Sequence, residues 1–543
     1  MANIYKPPCD EAVILTGPSS SAPIRNVGAW VLVATILGSS MAFIDGSVVN
    51  VALPALQRVF NATSGEVQWV MEGYSLFLAA LILVGGSLGD TFGRRRIFAT
   101  GIILFALSSI LCGLAPNILL LISARCVQGV GGALLVPGSL AIISASFSPD
   151  KRGRAIGIWS GFTSITSAMG PVLGGWLVEH ASWHWVFFIN VPLAVIVLLL
   201  LFIRVPESRN EESDGHLDWI GSLLVTVGLG ALVYGLIQAG SIGFGSPVVI
   251  GPLLIGLCAL ISFVLYEARS AHPMLPLTLF RSRSFSGANL LTLFLYSALS
   301  GALFFFPFNL IQVQGYSPTE AGSSLLPFVI LMFSLSGWSG GLVKRYGAKL
   351  PLIVGPMVAA TGYLLFARPD LNGNYWTTFF PAAIFLGLGM TISVAPLTTT
   401  VMGSVSQSRA GVASGVNNAV SRAAGLLSIA VMGILLSSVF NSSLDSRLAA
   451  LHLSPALLDT VNAQRTKLAG ITLPTGVSAQ VHTTVTQAIK LSFVDGFRVV
   501  MFTSCGLALL SALVAALMIA GKRKAIAQTG EVEQSDVPDR ARS

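Results

Sequence analysis

Gly86-Ser-Leu88-Gly-Asp90-Thr-Phe92-Gly93 returns later in the chain as Gly340-Gly-Leu342-Val-Lys344-Arg-Tyr346-Gly347, at an offset of 254 (340 − 86). A second pair, Gly129-Val-Gly131 and Gly387-Leu-Gly389, is offset by 258 (387 − 129), and Gly153, Ala155 and Gly157 match Gly411, Ala413 and Gly415 at that same spacing. Distant pairs sharing nearly one spacing mark an internal repeat, the feature to establish before any element is assigned. Each copy of the first stretch lies between two long apolar segments, so the repeated unit is much larger than eight residues. Two related halves are expected, in the same orientation.

Composition says what the halves are made of. Of 543 residues, 53% are hydrophobic and 10% charged, whereas roughly a quarter of positions are charged in soluble globular domains. The chain is read as an all-α integral membrane protein, and its 56 glycines suit helices that pack closely in lipid. The formal charge of +8 does not point to nucleic acid, because the basic residues sit between apolar segments rather than on one patch. Cys9, Cys112, Cys126, Cys258 and Cys505 form an odd set without disulfide or zinc spacing. The polar residues 1–26 lack the apolar core of a signal peptide.

With about 20 apolar residues per crossing, about fourteen spans are expected: 27–53, 67–88, 97–115, 117–146, 153–178, 184–204, 218–238, 247–267, 285–313, 319–343, 350–367, 375–402, 411–437 and 497–520. Between the third and fourth, only Ala115-Pro116-Asn117 marks a turn. Basic residues concentrate in connections retained in the cytoplasm. With the N-terminus inside, the inside connections hold Arg94–Arg96, Lys151, Arg152, Arg154, Arg204, Arg209, Arg269, Arg281, Arg283, Lys344, Arg345, Lys349 and Arg409, and the short outside ones only Arg58 and Arg368. Lys522, Arg523 and Lys524 then also lie inside.

The expected layout is a cytoplasmic tail (1–26), a six-helix half (27–204), two inserted helices with cytoplasmic linkers (205–284), a second six-helix half (285–520) and a cytoplasmic tail (521–543). Parallel six-helix halves are an arrangement of transporters that rock about a site near the bilayer midplane. Within the second half, 438–496 is expected to form an external helical hairpin. Ser454-Pro455 signals a helix start, and Val477, Val481, Val485 and Ile489 mark a second amphipathic stretch.

Five motifs carry a family resemblance over nearly the whole chain. They are Asp45-Gly-Ser-Val-Val-Asn50-Val-Ala-Leu-Pro54 in span 1, Gly86 to Arg96 between spans 2 and 3, Arg125-Cys-Val-Gln128-Gly129-Val-Gly131-Gly132-Ala133 in span 4, Gly170-Pro171-Val-Leu-Gly174-Gly175 in span 5, and Trp183-His-Trp185-Val-Phe-Phe-Ile-Asn190-Val-Pro192 entering span 6. Together they resemble the major facilitator superfamily, and within it the fourteen-span drug:proton antiporters. Thr91 and His184 depart from that pattern where a basic residue is usual. Span 10 has no internal carboxylate, whereas relatives exporting divalent cations have one, so such cargo is not expected.

Ionisable residues inside lipid-embedded helices mark a functional hypothesis, and here the clearest are Asp45, Glu72, Arg125 and Arg422. Asp45 lies eight residues before Leu53 and Arg125 eight after Asn117, so both sit roughly 12 Å below the outer boundary and can meet. Glu72 falls about 9 Å down, as a second acid at the cavity mouth. Asp45 is the expected proton-coupling carboxylate: burial disfavours its charged form and a nearby guanidinium favours it, so proton and electropositive cargo compete for one charge. The plain alternative is a static ion pair joining spans 1 and 4. Asn50, Gln128 and Arg422 are candidate cavity residues; for Arg422 a packing or interfacial charge is the alternative. Asp90 and Arg94, one helical turn apart, suit an ion pair and, with Gly86 and Gly93, a cytoplasmic latch. Alternatively, Arg94–Arg96 simply set topology and meet anionic headgroups. Gly170, Pro171, Gly174 and Gly175 bend span 5 and admit a close neighbour.

No metal-ligand spacing and no nucleotide-binding loop occurs. The expectation is a proton-gradient-driven exporter without catalytic residues or cofactor, acting on small lipophilic or cationic compounds by alternating access. It is expected in the cell inner (plasma) membrane, in contact with membrane lipids, functional as a monomer, with a periplasmic adaptor as a candidate partner. A dedicated exporter of a metabolite, lipid or siderophore is the neighbouring reading, and a non-transporting membrane sensor the reading of another class.

Overall fold

A computed structural model describes residues 28–520 except 148, 210–217, 271, 272, 274, 372, 406–409 and 475. The two terminal tails, and with them Lys522–Lys524, lie outside the described residues, as do Arg409 and His216. All regular structure among the described residues is helical. The main helices are α1 Gly28–Phe60, α2 Ser64–Phe92, α3 Arg94–Gly113, α4 Ile118–Ser146, α5 Pro149–His180, α6 Asn190–Arg204, α7 Trp219–Ile242, α8 Pro247–Glu267, α9 Arg283–Phe308, α10 Leu326–Tyr346, α11 Lys349–Phe366, α12 Phe380–Gly403, α13 Ala410–Ala449 and α14 Ala479–Met518.

Every expected span range is thus occupied by a helix. Among the described residues, twelve helices are long and apolar enough to cross a membrane, thirteen if α2, bent by 51° between Ser64–Ile82 and Val84–Phe92, is one span. The expected fourteen are reached only if α5 crosses too; rich in Gly, Ser and Thr, it falls short on apolarity rather than length. Apolar side chains such as Leu254, Ile255, Leu257 and Ile261 on α8 point outward, as a helix facing lipid requires.

Local chemistry sets the joints. Thr63 and Glu66 form a reciprocal capping box at the start of α2 (Glu66 N–H to Thr63 Oγ1 3.2 Å; Thr63 N–H to Glu66 Oε2 2.8 Å). Asn117 caps α4 by accepting the Leu120 N–H at 2.8 Å, which makes the spare Ala115-Pro116-Asn117 turn a clean break. The repeated glycines have one physical cause: Gly93 and Gly347 end α2 and α10 at φ +109° and +77°, a region that L side chains avoid.

The repeat is also spatial. A Cβ on Gly129 would collide with the Tyr74 carbonyl of α2, and one on Gly131 would lie 2.7 Å from the Phe105 nitrogen of α3. Correspondingly, a Cβ on Gly387 would lie 3.0 Å from Phe328 of α10, and one on Gly389 would collide with Ala359 of α11. α4 therefore nests against α2 and α3 as α12 nests against α10 and α11, because glycine lets the backbones close up.

One feature differs from expectation. The segment 438–496 is no separate hairpin: α13 runs on to Ala449 and α14 begins at Ala479, so Val481, Val485 and Ile489 belong to the last long helix. Among the described residues between them lie the short helix Pro455–Ala463, started by Ser454 as read, and a 3-10 turn Arg465–Gly470. The inserted helices pack against both halves. Gly228 and Gly235 of α7 pack on Leu260 and Leu253 of α8, while Gly230 meets Leu76 of α2 and Gly240 meets Ile434 of α13. α7 lies along the line where α2 and α13 come together. Below, the end of the bundle carrying 450–478 is the hairpin end and the opposite one, carrying Arg94–Arg96, the basic end.

Candidate functional site

The glycines that draw α4 onto α2 and α3 also carry Arg125 and Gln128 into the interior of the first half. Arg125 ion-pairs with Asp45 of α1, and both side chains are 0% exposed. Asp45 Oδ1 accepts hydrogen bonds from Gln128 Nε2 at 2.9 Å and Asn190 Nδ2 at 3.2 Å. Those donors are themselves positioned by Ser109 of α3, whose Oγ accepts from Asn190 at 3.0 Å and donates to the Phe187 carbonyl at 2.8 Å. Arg125 further donates to the Val70 carbonyl at 3.0 Å and to Gln128 Oε1 at 2.7 Å, with its guanidinium carbon 4.4 Å from the Tyr74 ring centre. A buried ion pair persists only where further hydrogen bonds and good geometry offset desolvation, and here five helical segments supply them.

The structure therefore brings Asp45 and Arg125 together, as their depths allowed. Gln128, expected to line a cavity, is instead fully buried and committed to Asp45. The carboxylate points into the α1–α4 packing and not toward lipid, while a Cβ on the next residue, Gly46, would meet nothing within 4 Å. Open space thus borders α1 one residue from the acid. Asn50 is half-buried, with its Oδ1 unpartnered, and Arg422 is half-buried on α13. Glu72 is not at a mouth: it is 1% exposed and neither carboxylate oxygen has a hydrogen-bond partner. Ser109 and Tyr74 were not singled out from the sequence, and Asn190 was named only within the motif entering span 6, without a site role. Asn190 is the one with a signal, a lone amide at the head of an apolar run.

Asp90 and Arg94 are ion-paired across the Gly93 turn (Nε to Oδ1 2.8 Å). A residue the sequence reading missed completes the joint: Glu207, just beyond α6, accepts the Arg95 N–H at 2.9 Å and lies 3.7 Å from both Arg95 and Arg96 Nε. A Cβ on Gly93 would lie 2.9 Å from the Glu207 carboxyl, whereas Gly86 has room, its nearest neighbour Pro137 being 3.6 Å away. Gly93→Ala is expected to destabilise by about 1–3 kcal/mol from backbone strain and to loosen the 205–208 segment. Thermal unfolding in detergent, alongside the harmless Gly86→Ala, reads the difference.

The helix-5 motif faces two ways. A Cβ on Gly170 or Gly174 would collide with Ser47 or Val48 of α1, whereas one on Gly175 would collide with Pro318, and one on Gly322 with Pro171. α5 and the short helix Pro318–Ser323 thus interlock through reciprocal glycines, reinforced by the Thr319 N–H donating to Glu179 at 3.0 Å. More bridges between the halves lie at the hairpin end. A Cβ on Gly433 of α13 would lie 2.5 Å from Gln68 Nε2 of α2. Gln57 of α1 donates to the Lys467 carbonyl at 3.1 Å and accepts from Gln312 at 2.8 Å, and Lys467 Nζ donates to Asn61 at 2.5 Å. At the basic end, Cβ atoms on Gly340, Gly341 and Gly403 would meet nothing within 4 Å. Among the described residues, the contacts that tie the two halves together are thus gathered at the hairpin end.

Comparison with known proteins places this geometry. Residues 35–429 match the family model described as Major Facilitator Superfamily. The chain is similar to the multidrug resistance protein Stp of Mycobacterium tuberculosis, 35% identical over 509 residues covering 91% of each chain. It is also similar to the tetracenomycin C resistance and export protein of Streptomyces glaucescens, 32% identical and covering 93% of this chain and 94% of that one. Among solved structures, a bacterial homologue of the human lysosomal transporter Spinster, described as inward-facing and occupied, superposes with a TM-score of 0.65 at 19% identity over 93% of this chain and 99% of that one. That likeness bears on fold alone. A matched family model over most of the chain, relatives above 30% identity along nearly its whole length, and two nested helical halves lead to one statement: this multi-pass membrane protein belongs to the Major Facilitator Superfamily and is a transporter of small molecules rather than an enzyme.

Proposed function

We propose that the protein exports small lipophilic or cationic compounds, drugs among them, by alternating access in exchange for protons, with the Asp45–Arg125 pair as the coupling site. The observation that carries this is a fully buried carboxylate whose partner guanidinium is held by α2 and α4 while open space lies beside Gly46 of α1. Protonating Asp45 removes one charge of the pair and frees Arg125 to change partners, so the pair has two arrangements that rocking of the halves can select. Relatives named for multidrug resistance and for resistance to tetracenomycin C and puromycin support drugs as cargo; the names built on single antibiotics favour a dedicated exporter as the second reading.

The accompanying reading of topology is fourteen crossings, α5 among them, with both termini cytoplasmic, in the inner (plasma) membrane. The basic end is then cytoplasmic. The arrangement is two six-helix halves with α7 and α8 between them, acting as a monomer, with an adaptor at the hairpin end as a candidate partner. Asp90, Arg94 and Glu207 serve as the latch at the basic end.

The test is export of a fluorescent lipophilic cation from proteoliposomes under an imposed pH gradient. Gradient-dependent movement that stops when a protonophore collapses the gradient is the expected result. Movement indifferent to the gradient would remove proton exchange from the account.

A further inference from the structure

Gln68, Glu72 and Leu76 recur at four-residue spacing on α2 and therefore share one face. At the top of that face Gln68 meets Gly433 of α13; at the bottom Leu76 packs in one cluster with Leu426 and Ala430 of α13 and Leu229, Val233 and Ile237 of α7. Glu72 is held between these contacts, in the seam that closes the hairpin end. It is 1% exposed and both its oxygens lack a hydrogen-bond partner; Gln68, 4% exposed, leaves its Oε1 unpartnered one turn away. Two orphan polar groups on one dry face are unusual, since buried polar groups are almost always paired.

The charges around this face do not answer Glu72. On α4, Arg125 is taken by Asp45 of α1, and Cys126 packs beside Gly73. On α7, Tyr234 OH accepts from Gln238. On α13, Arg422 lies within electrostatic reach of Tyr74, one turn from Leu426. On α2 itself, Glu66 is spent in its capping box and Tyr74 donates to the Ala42 carbonyl, while Lys467 of the 465–470 turn binds Asn61.

We infer that Glu72 is a second proton site that locks the hairpin end: neutral while the α2–α13 seam is closed and dry, and ionised when the seam opens and water reaches it. An unpaired carboxylate in a dry apolar seam is far more costly than the neutral acid, so proton binding and seam closure favour each other. The site is distinct from the Asp45 pair, whose carboxylate is answered by an arginine and two amides. Its ligand is the proton alone, and its consequence is that closing the hairpin end takes up a proton whether or not cargo is present. In a proton-driven exporter this proton is taken up from and returned to the hairpin side, so it makes closure depend on the pH there without adding a transported proton; that use rests on the proposed function, whereas the lock itself does not.

Two measurements on the full-length protein without cargo test it. Infrared spectra are expected to show the C=O stretch of a buried protonated carboxylic acid, lost in Glu72→Gln; no such band, or one unchanged in that variant, overturns the inference. Disulfide trapping of a Gln68→Cys/Gly433→Cys pair is expected to fall with rising pH, the closed-to-open ratio changing by up to about tenfold per pH unit for one linked proton. Adding Glu72→Gln is expected to leave trapping high and flat; a pH profile that keeps its shape overturns the lock. Neither readout involves transport, so failure of proton-driven export would leave both results standing.

Discussion

Asp45→Asn is expected to abolish gradient-driven export and to destabilise the protein by about 3–5 kcal/mol, the usual consequence of leaving one member of a buried pair uncompensated. Arg125 has no solvent to turn to, at 0% exposure, and its hydrogen bonds to Val70 and Gln128 supply no negative charge. The two losses separate in the double variant Asp45→Asn/Arg125→Gln. Removing both charges is expected to recover most of the stability, since a buried pair contributes little net stabilisation, while export stays absent because no group is left to exchange a proton. Thermal unfolding in detergent and efflux from proteoliposomes read the two quantities. If Asp45 and Arg125 were only a static tie between α1 and α4, the double variant would regain export together with stability.

Gly322→Ala is expected to cut export at least tenfold with the Asp45 site untouched. Its Cβ would collide with the Pro171 backbone, which has no rotamer with which to yield. Overpacking of this kind costs about 1–3 kcal/mol, which corresponds to a shift of roughly 5- to 150-fold in a two-state equilibrium. The shift runs toward separation of α5 from Pro318–Ser323, so the hairpin end opens. A membrane-impermeant maleimide is expected to label a Gln57→Cys variant faster when Gly322→Ala is added. Gly170→Ala is the control: it collides with Ser47 of α1, within one half, and is expected to lower stability without speeding that labelling. Equal labelling in both would mean that the α5 glycines serve general packing alone.

The offset of 254 was legible because it repeats a geometry: Gly93 and Gly347 sit at positive φ, and glycine is the one residue that does so without strain. Asp45 and Arg125 were legible because a charge inside an apolar run is rare and helical rise fixes its depth. Depth says nothing of azimuth, so the sequence put Gln128 in a cavity and Glu72 at a mouth, whereas Gln128 turns to Asp45 and Glu72 is buried with neither oxygen partnered. Ser109 and Glu207 gave no signal, since a serine in a span and a glutamate in a linker are ordinary. The long reach of α13 and α14 beyond the apolar runs escaped a hydropathy ruler because helix and span are different quantities. There, polar turns are held by partners such as Arg447 with Asp495 at 2.6 Å.

The most direct measurement is the proton released when a lipophilic cation binds the purified protein, first brought to a pH low enough to protonate the cargo-free coupling site, in weakly buffered detergent, followed with a pH indicator in a Glu72→Gln background so that one acid is read. About one proton per bound cation, vanishing when Asp45→Asn is added while the cation still binds weakly, is the result predicted from competition for a single charge. Undiminished release from the Asp45→Asn protein would contradict it.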